Sequence, residues 1–177
     1  GIGKVNAAVC TQILIDDFDA EVVINTGIAG SLNADINIGD LVISTDLVHH
    51  DMNAVAFGYP VGQIPQMETF SFKSDEALRK LAVQACRDVN PDIEVFEGRI
   101  ASGDQFVADQ GVKDEIVKQF DAYAVEMEGA AIAQAAYLNN VPFLVVRAIS
   151  DKADGSAEVD YPTFEAQAIR HSVNLMA

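Results

Sequence analysis

Two glutamates, Glu126 and Glu128, stand at the head of the alanine-rich stretch AVEMEGAAIAQAA (124–136), and Asp151 ends the apolar run PFLVVRAISD (142–151). Acids just beyond buried runs can do chemistry, because the ligands of open α/β sheets collect past the carboxyl ends of the strands. Chemistry at a glycosidic bond fits such a set: it needs an acid for the leaving group and an acceptor for sugar hydroxyls. Residues i and i+2 share a face in a strand but lie about 200° apart on a helix, so Glu126 and Glu128 are no simple helical pair, and one of them is expected in a cleft. Each acid also has a plainer reading. A carboxylate at a helix N-terminus favours the macrodipole by roughly 0.3–1 kcal/mol, and an aspartate after a strand caps or turns the chain. Two further segments follow apolar runs, TGIAGS (26–31) and SGDQFV (102–107), and Ser150 adjoins Asp151.

Other constellations point nowhere. His49, His50 and Asp51 are consecutive, and neighbours on a strand face opposite ways. With three histidines in the chain and no second ligand motif, no metal site is expected. Gly27, Gly30 and Gly39 lack the G-x-G-x-x-G spacing of a dinucleotide loop, and no cofactor is expected.

The elements that must position the acids alternate in type. EVVIN (21–25) and DLVISTDLV (40–48) read as strands, the first running into a Gly loop. SDEALRKLAVQACRDV (74–89) reads as a helix, with Ser74 as candidate N-cap and acids in its first turn. IEVFEGRIASGDQFV (93–107) alternates like a strand that ends in a loop, and QGVKDEIVKQF (110–120) is helical. AYAVEM, GAAIAQAAYLNN and PFLVVRAISD then give strand, helix and strand. Helices are expected at both ends, over the first residues and from Pro162 to Ala177. Between them MNAVAFGYPVGQIPQ (52–66) carries Gly and Pro, which forbid a regular helix, yet holds Phe57, Tyr59 and Ile64; such a loop is packed under a neighbour or presented to a partner.

Composition bounds the class. With 177 residues, half of them hydrophobic, one core and one α/β domain spanning 1–177 are expected. A net charge of −16 and a pI near 4.2 argue against nucleic acid or an anionic membrane as partner. No apolar run approaches the roughly 20 residues of a membrane span and no leader is visible, so a cytoplasmic protein is expected. Cys10 and Cys86 sit among apolar neighbours and read as reduced core thiols. The chain starts without Met and stops inside an apparent helix, so truncation at both ends is expected.

Taken in order, INTGIAG (24–30), SGDQF (102–106), VEMEGAAIA (125–133) and RAISD (147–151), with GIGKVNAA (1–8) and AVAFGYPVGQIP (54–65), resemble the nucleoside phosphorylase and nucleosidase superfamily. Within it they resemble most the 5'-methylthioadenosine/S-adenosylhomocysteine nucleosidases. The resemblance implies a three-layer α/β/α domain around a central mixed twisted sheet, and hydrolysis that releases adenine without metal or cofactor. It implies that Glu128 accepts from the ribose 2' and 3' hydroxyls, with Met127 beside the sugar. Asp151, steadied by Ser150, would protonate adenine N7, for which an aspartate must hold a proton above its reference pKa near 3.9. Phe106 would stack on the purine and the Val107 backbone would read its edge. Ile28, Ala29 and Gly30 fall in the substrate loop. Ile2, Met127 and Tyr161, with Phe57, Tyr59 and Pro65 from a partner subunit, would wall the 5'-alkylthio end, which implies a homodimer.

Phosphorylase members carry an Arg two residues before the loop glycine and a Ser or Thr just after it, to grip phosphate. Asn25 and Ile28 stand in those places here, so water is the expected nucleophile, although Ile28 also replaces the Ser of many nucleosidases. The family's general base, a Glu near the true N-terminus, and its first strand have no counterpart in these 177 residues. If the polypeptide begins at Gly1, weak hydrolysis and an incomplete sheet are expected. A related purine nucleoside hydrolase for futalosine, a phosphorylase, and a non-catalytic adenine-nucleoside binder are the alternatives.

Overall fold

The computed structural model describes residues 1–154 and 163–164. Its order is α1 (Lys4–Phe18), β1 (Val23–Ser31), β2 (Leu41–His49), β3 (Phe72–Lys73), α2 (Glu76–Val89), β4 (Val95–Ser102), α3 (Gln110–Phe120), β5 (Ala124–Glu126), α4 (Gly129–Leu138) and β6 (Phe143–Asp151). The strands form one mixed sheet ordered β3-β2-β4-β5-β1-β6. Its twist carries β6 round to pair antiparallel with the start of β2, Leu41 opposite Ala148 and Ile43 opposite Val146. Five strands therefore close on themselves, with β3 attached outside β2.

β6 is the axis of this arrangement. All nine of its residues are buried, as expected of a strand covered on both faces. It lies parallel to β1 and antiparallel to β2. Alternation sends Leu144, Val146 and Ala148 against Ala82 and Cys86 of α2, while Val145 and Ile149 face a cluster with Ala130, Ala133 and Ala136 of α4. α4 is buried nearly all round, and its small side chains let it lie close against the sheet. α3 covers a third cluster through Ile116 and Phe120.

Several local expectations change on folding. TGIAGS is no loop: β1 runs through it to Ser31, with a bulge between Ala29 and Gly30. The α2 cap is Asp75, whose carboxylate accepts from Leu78 N–H at 2.9 Å, because Ser74 turns inward to bond Ser44 Oγ at 2.6 Å. Of the two cysteines only Cys86 is a core thiol, and burial pushes its pKa up to about 11. Cys10 is exposed, because α1 turns Ala7 and Thr11 inward and leaves Val5, Val9 and Phe18 outside. The Gly/Pro loop has one 3-10 turn, Val55–Phe57, and Gln63 Nε2 ties it together by donating to the carbonyls of Ile64, Met67 and Thr69. The helix expected from residue 162 lies almost entirely outside the described residues.

β3 has two residues and depends on one side chain. Phe72 is fully buried, edge-on to His49 and 5.5 Å from the Tyr137 ring. Phe72→Ala should lower stability by about 3–5 kcal/mol, read as an earlier urea midpoint at unchanged slope.

Candidate active site

Glu126 ends β5 with its side chain buried under the first turn of α4, which leaves Glu128 as the α4 N-cap residue. The Glu126 carboxylate accepts the Glu128 N–H at 3.1 Å and the Gly129 N–H at 2.8 Å. Ser102 Oγ, at the end of β4, donates to the same carboxylate and accepts the Ala130 N–H at 2.7 Å. The otherwise unsatisfied N–H groups of a buried helix start are thus met from two strands. Arg147 reaches in from β6, its Nη2 2.6 Å and its Nε 3.2 Å from Glu126 Oε2. Both side chains of the pair are 3 % exposed or less.

With Glu126 so occupied, Glu128 does something else. It is half-buried, makes no cap bond to its own helix, and its Oε1 accepts the Gly3 N–H at 2.8 Å. The two glutamates at the head of α4 therefore divide the work: one closes the helix and one lines a cleft.

That cleft measures about 720 Å³ and lies between the ends of β1, β5 and β6 and the start of α1. Ile28, Ala29 and Gly30 form one wall, Phe106, Met127 and Ile2 contribute apolar surface, and Glu128, Ser150 and Asp151 supply polar groups. Asp151 is buried; Ser150 Oγ donates to its Oδ2 at 2.8 Å and the Ala153 N–H to its Oδ1 at 2.8 Å. The β1 bulge sets Gly30 beside it, where a Cβ would lie 2.7 Å from Asp151 Oδ1, so that position takes only glycine. Val107 is buried and lines a small adjoining recess with Phe106, Met127 and Asp151.

Phe57, Tyr59 and Pro65 do not line this cleft. Phe57 stands 82 % exposed on its loop. Tyr161 lies outside the described residues. Asn25, Thr26 and Gly27, in the INTGIAG segment, line the cleft as well, and so does Arg147, to which reading the residues one by one gave no role. For Arg147 a signal existed: a lone arginine inside FLVVRAIS must bury its charge against an acid, and the nearby EME stretch offers one.

His49 and His50 do not line this cleft. His49 Nε2 lies 3.0 Å from Gln134 Oε1, and burial, aided by Lys4, lowers its pKa; burial also lowers that of His50. Among the described residues, no three His, Cys, Asp or Glu side chains are grouped to hold a metal ion.

A closed mixed sheet with carboxylates and glycine-flanked strand ends around an apolar cleft is the arrangement of an α/β protein with a small-molecule site at its strand ends. The family model of the phosphorylase superfamily matches residues 1–177. The 5'-methylthioadenosine/S-adenosylhomocysteine nucleosidase of Bacillus licheniformis is 46% identical over 177 residues, covering 99% of this chain and 76% of that protein. The corresponding nucleosidase of Neisseria meningitidis, in a crystal structure with methylthio-immucillin-A, superposes with a TM-score of 0.95 at 44% identity, covering 99% of this chain and 76% of that one. Futalosine hydrolase of Helicobacter pylori matches with a TM-score of 0.94 at 38% identity, over 99% of this chain and 74% of that one. The chain belongs to the phosphorylase superfamily and, within it, to the 5'-methylthioadenosine/S-adenosylhomocysteine nucleosidase family.

Removing the buried carboxylate would strand Arg147 and the α4 N–H groups together. Glu126→Ala should cost about 3–5 kcal/mol, measured by urea denaturation of the purified chain.

Proposed function

We infer that this chain is an N-glycosyl hydrolase that cleaves 5'-methylthioadenosine and S-adenosylhomocysteine to release adenine. The observation that carries this reading is the pairing of Glu128 and Asp151 in one largely apolar cleft, together with the family. Asp151 delivers a proton to adenine N7, so that the base leaves neutral as the C1'–N9 bond breaks; a general acid of this kind contributes roughly 10²–10⁴ in rate. Ser150 orients Asp151 through its 2.8 Å bond. Glu128 accepts from the ribose 2' and 3' hydroxyls as the sugar becomes cationic, with Met127 beside it, and Phe106 stacks on the purine while the Val107 backbone reads its edge. Water adds to C1' and gives up a proton to solvent, from which Asp151 is reprotonated, and the hydrolysis is complete.

Water rather than phosphate fits the floor of the cleft. The guanidinium there, Arg147, is bound to Glu126, and Asn25 and Ile28 offer no second cation to hold a dianion.

We propose further that the enzyme is a cytoplasmic homodimer serving methionine salvage and the methyl cycle, including autoinducer metabolism. Phe57, Tyr59 and Pro65 of one subunit would complete the 5'-alkylthio end of the other's cleft, with Ile2 and Tyr161 from the cleft's own chain. The exposed Phe57, and the outward Val5, Val9 and Phe18 of α1, support such a pairing. No helix among the described residues is long and apolar enough to cross a membrane.

Adenine release from 5'-methylthioadenosine, followed with and without phosphate, tests the reading. Turnover should be independent of phosphate and should fall at least about 100-fold in Asp151→Asn. Phosphate-dependent cleavage, or near-normal turnover in that variant, would refute it; futalosine as the better substrate would favour the second hydrolase reading that the Helicobacter structure raises.

A further inference from the structure

The Glu128 carboxylate is held by something outside its own helix and strand. Its Oε1 accepts the Gly3 N–H, and Gly3 has φ 97°, a conformation open to glycine and strained for other residues. The next residue, Lys4, begins α1 and is fixed at both ends. Its backbone N–H donates to Asp104 Oδ1 at 2.8 Å, and its Nζ lies 2.6 Å from Asp51 Oδ1. Asp51 Oδ2 in turn accepts the Asp104 N–H at 3.0 Å. Lys4, Asp51 and Asp104 thus form a closed ring of bonds across three segments far apart in the chain.

A partly exposed ion pair such as Lys4–Asp51, with side chains 20% and 29% exposed, contributes little to stability. Its geometric effect is larger, since it fixes where the Gly3 N–H points. We propose that Lys4, Asp51 and Asp104 are positioning residues: they pin the turn before α1 so that Gly3 holds the Glu128 carboxylate in the orientation that receives the ribose hydroxyls. This rests on the role given to Glu128 above. None of the three lines the cleft; they act on ribose recognition through one backbone N–H.

The consequence is a selective one. Loosening the ring weakens the bonds from Glu128 to the sugar hydroxyls and leaves purine stacking and the apolar pocket unchanged. The test is binding of 5'-methylthioadenosine and of its 2',3'-dideoxy counterpart, by calorimetry, to the Asp151→Asn chain as a slow-turnover parent. Lys4→Met, Lys4→Arg and the isosteric Asp51→Asn are then added to it. The parent should prefer the ribonucleoside by at least about 10-fold, the loss of good hydrogen bonds to a charged acceptor being worth that much or more. Lys4→Met and Asp51→Asn should cut the preference to about threefold or less, with affinity for the dideoxy compound unchanged, and Lys4→Arg should keep most of it. Equal weakening of both ligands, or a preference kept intact in Lys4→Met and Asp51→Asn, would overturn the proposal alone. A parent that binds neither ligand, or does not discriminate between them, would overturn the Glu128 assignment and the proposal with it.

Discussion

The structure depends on one buried carboxylate. Glu126 joins β4 through Ser102, β6 through Arg147 and the start of α4 through two backbone N–H groups. Taking an acid and a guanidinium out of water is costly, and an apolar pair of the same volume is often as stable. What the pair provides is position. Bonds to a single carboxylate tie together the end of β4, the middle of β6 and the start of α4, and a shift of any one would leave a buried charge or a helix N–H without a partner.

From that fixed point the rest of the site follows by short steps along the chain. Two residues after Glu126 the backbone has turned into α4, so Glu128 faces the cleft and not the core. Four residues after Arg147, β6 ends at Asp151, and the parallel pairing with β1 carries Gly30 alongside it. The bulge at Ala29/Gly30 adjusts the register so that the aspartate and the glycine meet. Asp151 and Glu128 are thereby held by one frame, which is what the roles proposed for them, leaving-group acid and sugar acceptor, require of positioned groups.

Most of the element pattern was legible in the sequence, since periodicity and turn residues read locally. α2, α3, α4 and β6 fall within a few residues of their expected spans. What escaped was set by tertiary contact. TGIAGS looked like a loop because it carries two glycines, yet β6 supplies a full ladder of partners and extends β1 through it. Cys10 looked like core because its helix is apolar, yet α1 is apolar on more than the face it buries. The cleft acids were legible as types after strands, and the ordered motifs assigned them roles. The division of labour between Glu126 and Glu128 was not, because it depends on Arg147 and Gly3, which lie 21 and 125 residues away.

A crystal structure of the Asp151→Asn chain with 5'-methylthioadenosine tests the central claim most directly. The account predicts the ribose 2' and 3' oxygens within hydrogen-bond distance of Glu128, adenine N7 beside residue 151 and the purine on Phe106, with the Glu126–Arg147 pair unchanged beneath them. A nucleoside seated elsewhere, or one whose ribose turns away from Glu128 in the same cleft, would contradict it.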